Sequence, residues 1–371
     1  MQGGYSDSCI QTNFQKRINN KTIKIIRMKH FQLFLLAIVL SLSFTNCQPP
    51  DEETERVQLI LDTDFGSVNG DIDDMGALAL AHGLMNNNEC DLLAVMLCIN
   101  NGHAMQAVDA VNTYFGRGDI PVANTDGELI YQDTSFAYHV AANFANNIVP
   151  EESLSATKLY RKVLACAEDK SVNIAVVGHP GNLHNLFKSS ADEYSELSGV
   201  ELFGKKVDTL YLMGGSFPDG ATTVNFKYAG ECVTKFVIEN SPRPIVFSGE
   251  KIGKMDYGFV TGSKLNQLPD DNPVKACYSY WFKHPVSWYW NPPADSIRDH
   301  HHWDQITVHT AVRGAQPWFD QDTTGYCKVE CDGTNQWLSS VDKEHAYLKI
   351  KMDPRTFSNS FIEPLMMALP E

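Results

Sequence analysis

The sequence predicts an α/β fold, a single domain built on a mostly parallel central sheet with helices on both faces. Three observations lead there. Continuous apolar runs at 57–61, 92–97 and 172–177 suit strands covered on both sides. Segments with apolar residues at helical spacing separate these runs, so strand and helix alternate along the chain. No fixed-period repeat and no linker interrupts 57–371, which reads as one domain.

Taken in order, 57–61 reads as the first strand and 71–85 as a helix carrying Ala and Leu at helical spacing. Strand 92–97, helix 105–115 and the short strand 120–123 complete a β-α-β-α-β unit, which implies parallel pairing with right-handed crossovers. Helix 153–167 gathers Leu154, Leu159, Val163 and Leu164 on one side. Strand 172–177, a short helix at 182–188 and strand 208–213 follow, the last running into Gly214-Gly215. Helix 231–239 and strand 244–247 extend the alternation. A helical region at 272–313, β structure at 326–351 and a closing helix at 356–368 finish the chain.

The N-terminus is set apart from the fold. Residues 1–27 are polar and irregular, and Met28-Lys29-His30 introduces an apolar run at 31–44 that ends in Thr45-Asn46-Cys47. A basic start, a short apolar core and a polar exit describe an export signal, and the run falls short of the roughly 20 residues a membrane span needs. Cys47 resembles a lipoprotein attachment cysteine, which makes a lipid anchor the one expected link to a membrane. Residues 1–47 are thus read as extension plus signal, 48–56 as an acidic linker, and the protein as exported to the periplasm or outer surface. Beyond Cys47 the chain has 24 basic and 44 acidic residues, net −20. So acidic a surface disfavours nucleic acid and anionic lipid as partners, and suits a metal cation.

Cys90, Cys98 and Cys166 sit among apolar neighbours and read as small core residues. Cys327 and Cys331 are spaced to form a bridge in an oxidising compartment.

The densest chemistry follows the first strand: Asp62-Thr63-Asp64-Phe65-Gly66-Ser67-Val68-Asn69-Gly70-Asp71-Ile72-Asp73-Asp74. Five carboxylates within thirteen residues repel one another. A helix starting at Asp73-Asp74 offsets one or two charges by roughly 0.3–1 kcal/mol each. The remainder calls for a cation, and ligands that are all oxygen point to calcium or magnesium rather than zinc. An EF-hand is excluded, because the loop follows a strand and lacks the closing Glu.

Asp62-Thr63-Asp64-x-Gly66 with Asp73-Asp74-x-x-Ala77-Leu78 resembles the signature of the inosine-uridine-preferring nucleoside hydrolases, calcium enzymes that cleave the N-glycosidic bond of ribonucleosides. Further landmarks occur in family order: Gly118-Asp119-Ile120-Pro121, Gly178-His179-Pro180-Gly181-Asn182-Leu183, Met213-Gly214-Gly215 with Asn225-Phe226, and Trp303-Asp304-Gln305. The resemblance implies that Asp64 binds Ca2+ and acts as the base toward water. It implies Asp74, the Gly181 carbonyl and Asp304 as further metal ligands. Asp73, Asn225 and Asn101 would contact ribose, and Asp62 would hold the loop together. It also implies a small-molecule ribonucleoside as partner and a homo-oligomer of dimer or tetramer size.

The chain departs from that pattern where the leaving base is handled. Relatives place His before the late Asp, and this chain has Trp303. His300, His301 and His302 lie just upstream and His309 beyond, with His302 the candidate acid. Thr223 stands where relatives often have Glu, and the stretch around Asp71 is an insertion, with Asp71 read equally as a solvated turn acid or a support for the metal site. Trp281, Trp288, Trp290 and Trp303 crowd the segment before Asp304, with Trp303 a candidate for stacking on a base. The sequence thus supports a nucleoside hydrolase. Its rivals are a hydrolase of another riboside on the same fold, or a calcium-dependent nucleoside-binding protein with little turnover.

Overall fold

The computed structural model describes residues 56–131, 135–289, 291–340 and 343–371. The export signal, Cys47, the linker up to 55 and Trp290 lie outside the described residues.

Strands β1 (Val57–Thr63), β2 (Cys90–Leu97) and β3 (Val122–Asn124) alternate with helices α1 (Asp73–Asn86) and α2 (Gly102–Tyr114). After α3 (Phe136–Asn143) and α4 (Ala156–Cys166) come β4 (Val172–Val176), α5 (Gly181–Lys188), α6 (Gly199–Lys206) and β5 (Val207–Met213). Then follow α7 (Val224–Tyr228), α8 (Val233–Asn240), β6 (Ile245–Ser248), α9 (Pro273–Lys283) and α10 (Trp303–Arg313). Strands β7 (Phe319–Asp322), β8 (Tyr326–Val329), β9 (Asn335–Leu338) and β10 (His345–Ile350) precede a helical stretch over 354–366.

Eight strands form one sheet in the order β3-β2-β1-β4-β5-β6-β10-β7, while β8 and β9 make a separate hairpin. Pairing is parallel throughout the sheet except for β7 against β10. The chain steps outward from β1 to β3 and then returns to place β4 on the other side of β1. The crevice at the carboxyl ends of β1 and β4 is therefore a topological switch point, where ligands of open α/β sheets bind.

Alternation along β1 feeds two cores. Leu59 and Leu61 join one apolar cluster with α1, α2, α9 and α10, and Ile60 joins the other with α4, α5, α6 and α8. The expected single α/β domain with a mostly parallel sheet and helices on both faces is what the chain forms. Four elements were not expected: α3, α6, α7 and the antiparallel edge strand β7, all short. The region read as helical from 272 to 313 is two helices separated by 284–302, a segment rich in Pro, His and aromatics.

The cysteines depart from expectation. Cys331 pairs with Cys232, 99 residues earlier, and Cys327 is a buried free thiol, so the Cys327–Cys331 bridge does not form. Cys327 lies within β8, facing the core, while Cys331 sits in the turn beyond it. Cys90 and Cys98 are core residues as expected, but Cys166 ends α4 on an exposed face.

Helix α1 lies against α10 at a point without a side chain. A Cβ on Gly76 would collide with Nε2 of Gln305 and crowd the hydroxyl of Tyr278. Gln305 is fully buried and follows Asp304 directly, so this close approach sets how α1 and α10 present their first turns. Gly76→Ala is expected to destabilise the fold by about 1–3 kcal/mol through overpacking. Urea denaturation measures it, and an unchanged midpoint would refute the account.

Candidate active-site cavity

A cavity of about 740 Å³ opens at the switch point. Its acidic lining comes from the turn after β1 (Asp64, Asp71), the first turn of α1 (Asp73, Asp74), the first turn of α10 (Asp304) and the residue pair after β6 (Glu250). The Asp-rich turn folds locally before α1 begins. The Ser67 amide donates to the Asp64 carbonyl at 3.0 Å, and the Gly70 amide to the Ser67 carbonyl at 2.9 Å. Gly66 has φ +82°, a left-handed conformation that favours glycine. A Cβ there would also press on Ala104 and Ala137.

Asp73, Asp74 and Asp304 can each place a carboxylate oxygen within 4.8 Å of the other two, and all three are almost fully buried. Backbone amides bind the cluster. The Asp304 amide donates to the Asp73 carboxylate, and the Asp64 amide to that of Asp74, which also accepts the Thr63 hydroxyl. Burial, reinforced by the neighbouring carboxylates, pushes all three well above the usual carboxylate range. Asp64 is half-buried and accepts from Ser67; burial raises its pKa to about 6. Groups in this state gain from a cation, and all-oxygen donors select a hard one. These residues could hold a metal ion.

Asp62 points away from the cavity into the other core. Tyr160 Oη donates to it at 2.8 Å and Asn182 Nδ2 at 3.0 Å. Burial lifts its pKa to about 7 in spite of those two bonds. It thereby ties β1 to α4 and α5 beneath the cavity.

Of the other residues singled out from the sequence, Asn225 and Trp303 line the cavity. Asn225 Nδ2 donates to the Val177 carbonyl at 2.6 Å. Trp303 Nε1 donates to the Glu250 carbonyl at 2.8 Å, and its ring stacks on His301 with centroids 4.2 Å apart. Thr223 is also at the wall, where its hydroxyl accepts from the Gly215 amide.

Three assignments do not reach the cavity. Gly181 is the first residue of α5, so its carbonyl belongs to that helix's hydrogen-bond ladder. Val177, directly after β4, lines the cavity, and its carbonyl accepts from the lining residue Asn225. Asn101 caps α2 by accepting from the amides of His103 and Ala104, and its amide donates to the Gly66 carbonyl at 2.8 Å. It supports the turn from behind. His302 is fully buried against Phe259, its Nε2 3.2 Å from the Ser358 hydroxyl. Burial drops its pKa to about 3, so it is neither protonated nor at the cavity wall. His309 is likewise enclosed, by Trp318 and Phe357.

His300 has a different role. Its Nε2 lies 2.7 Å from Asp71 Oδ1, and the partnership lowers the Asp71 pKa. Two indoles grip the same insertion: Trp281 Nε1 donates to the Gly70 carbonyl at 3.2 Å and Trp288 Nε1 to the Asn69 carbonyl at 2.7 Å. The insertion at 67–71 and the late aromatic segment therefore form one wall. Asp71 is a wall residue facing the cavity rather than a solvated turn acid.

Sequence reading missed Val177, His179 and Glu250. Each follows the carboxyl end of a sheet strand, and that placement was the available signal for all three.

No family profile and no curated protein matches the sequence. Solved structures do match in fold. The plant nucleoside hydrolase PpNRh1 is 16% identical, with a TM-score of 0.61 over 85% of this chain and 100% of that one. The inosine-uridine preferring nucleoside hydrolase from Bacillus anthracis is 15% identical, with a TM-score of 0.55 over 84% and 99%. The type III effector XopQ, solved with adenosine diphosphate ribose, is 14% identical, with a TM-score of 0.58 over 85% and 94%. The chain has the fold of the nucleoside hydrolases.

Proposed function

We propose that the protein hydrolyses the N-glycosidic bond of small ribosides with the help of calcium. The observation that carries this reading is the set of three buried carboxylates within 4.8 Å, at the switch point of a nucleoside-hydrolase fold. Asp74 and Asp304 would hold the ion, joined by Asp64 and by the Val177 carbonyl, whose second lone pair is free while the first accepts from Asn225. Calcium takes six to eight oxygens, and when bound it would supply charge to orient and polarise a water and two sugar hydroxyls.

The residues of the chain then divide the work. Asp64 takes a proton from the attacking water, a role that its place on the cavity lining allows. Asp73, oriented by the Asp304 amide, accepts a ribose hydroxyl. Asn225 lies within reach of the sugar from the opposite wall. The acidic surroundings favour the positive charge that develops on the sugar ring as the bond breaks. Export to an oxidising compartment is part of the same proposal, supported by the Cys232–Cys331 disulfide.

Asp64→Asn is expected to lower kcat for ribose release from a nucleoside panel by about 10²–10⁴-fold. Isothermal titration of calcium into the same variant separates loss of the base from loss of the ion. Undiminished turnover would remove Asp64 from the base role. Tight calcium-dependent nucleoside binding by the wild type, with no product, would favour a binding protein instead.

Stability should report the ion as well. Asp62 and Asp64 have folded pKa values of about 7 and about 6 against 3.8 for an ordinary aspartate. Between about pH 4 and 7 these two groups bind more protons folded than unfolded, so their own contribution to stability falls as pH rises, while buried histidines such as His82, His302 and His309, held at about 3, oppose it. The total Tm in chelator therefore mixes both signs, and the ion is read from the difference: calcium is expected to raise Tm more at pH 7 than at pH 5. A calcium effect of equal size at both values would contradict the shared site.

A further inference from the structure

The cavity is as unusual for what it lacks as for what it holds. Six carboxylates line it (Asp64, Asp71, Asp73, Asp74, Asp304 and Glu250), and no Lys or Arg does so among the described residues. Six carboxylates outnumber the charge of one divalent ion. A departing base in such a site must either collect a proton or leave without needing one.

The imidazoles and the indole around Asp304 are otherwise engaged, and the Tyr228 hydroxyl stands out at the mouth. Trp303 occupies the position before Asp304, and its indole N–H is committed to the Glu250 carbonyl. His300 is held by Asp71, His301 Nδ1 accepts from the Met255 amide at 2.9 Å, and His302 is buried at Ser358. His179 is the imidazole on the lining. Its Nδ1 is turned toward Gly181, where a Cβ would sit 3.1 Å away.

At the mouth the lining turns aromatic and apolar. Tyr228 is 69% exposed, Trp288 46%, Val68 70% and Val224 60%, and all four belong to this one cavity. The Trp288 indole N–H is tied to the Asn69 carbonyl, so the ring has only its π surface to offer a ligand. Indole and phenol faces attract cations, by about 0.5–1 kcal/mol when exposed and about 2 when desolvated.

We propose that the preferred substrate is a riboside whose base is a cationic N-heterocycle, joined to the sugar through a pyridinium-type ring nitrogen. The inference rests on the riboside-hydrolase reading and narrows it. As the bond between C1′ and nitrogen breaks, its electron pair stays on nitrogen and the base departs neutral. A water oxygen forms the new bond to C1′, and the water proton passes to Asp64 and then to solvent. No proton donor is needed for the leaving group. The acidic lining and aromatic mouth draw in the charged base and release it once it is neutral.

The test compares ribose release by the full chain in saturating calcium from nicotinamide riboside, an N-ribosylpyridinium cation, and from uridine and inosine. A kcat/KM at least about 10-fold higher for the cation is expected, equivalent to about 1.4 kcal/mol of transition-state preference. Nicotinic acid riboside carries the same pyridinium ring with a carboxylate in place of the carboxamide, and should be about 10-fold slower than the amide. Uridine or inosine cleaved as fast as the cation would overturn the substrate inference and leave the hydrolase reading standing. Equal rates for the amide and the acid would overturn the role of the lining charge. Ribose release from none of them would sink both readings.

Discussion

Repulsion among the carboxylates at the first turns of α1 and α10 is the constraint on which the rest of the site depends. Two unit charges 4 Å apart repel by about 4 kcal/mol at an effective dielectric of 20, and here three buried groups stand within 4.8 Å. Two helix N-termini offset about 1 kcal/mol apiece. What remains must be met by fixed amides, by retained protons or by a cation. The amides of Asp64 and Asp304 do the first, and raised pKa values express the second in the absence of an ion. Gly76 belongs to the same problem, because without its bare Cα the two first turns would stand further apart.

The sheet explains why the cluster can be held so firmly. Along β1, successive side chains alternate between the two cores, which sends Asp62 to the same side as Ile60. Asp62 turns down to Tyr160 and Asn182 and locks the strand to α4 and α5. Asp64, two residues on, has left the strand and faces the cavity. One short motif therefore supplies both a strut and a reactive carboxylate, and the strut keeps the end of β1 from moving when the charge state above it changes.

How much of this was readable from the sequence follows from how local each feature is. The Asp-rich turn, its strand and its helix lie within thirty residues, and their spacing alone placed Asp64, Asp73 and Asp74 together. Asp304 joined them only through the family pattern. The Gly178–Leu183 segment was located correctly, but which carbonyl faces the cavity depends on where β4 ends and α5 begins, a boundary that patterning leaves uncertain by several residues. The histidine run shows the same limit more sharply. Three adjacent imidazoles go to three different environments, and only the packing of the loop before α10 against Asp71, Met255, Phe259 and Ser358 decides which is which. Contacts such as Asp71 with His300, 229 residues apart, leave no local trace at all.

Chemistry and selectivity are physically separate in this cavity. The floor is made of buried carboxylates. The wall is held largely through backbone: Trp281 and Trp288 bind the carbonyls of Gly70 and Asn69 and make no demand on the side chain at 68. Only Asp71 is fixed by its own carboxylate. A wall fastened in that way can change its exposed face without disturbing the floor, because the indole N–H bonds survive any substitution that preserves the turn. Trp303, directly before Asp304, belongs to the same arrangement: with its indole N–H joined to the Glu250 backbone, it presents an aromatic face at the edge of the carboxylate layer.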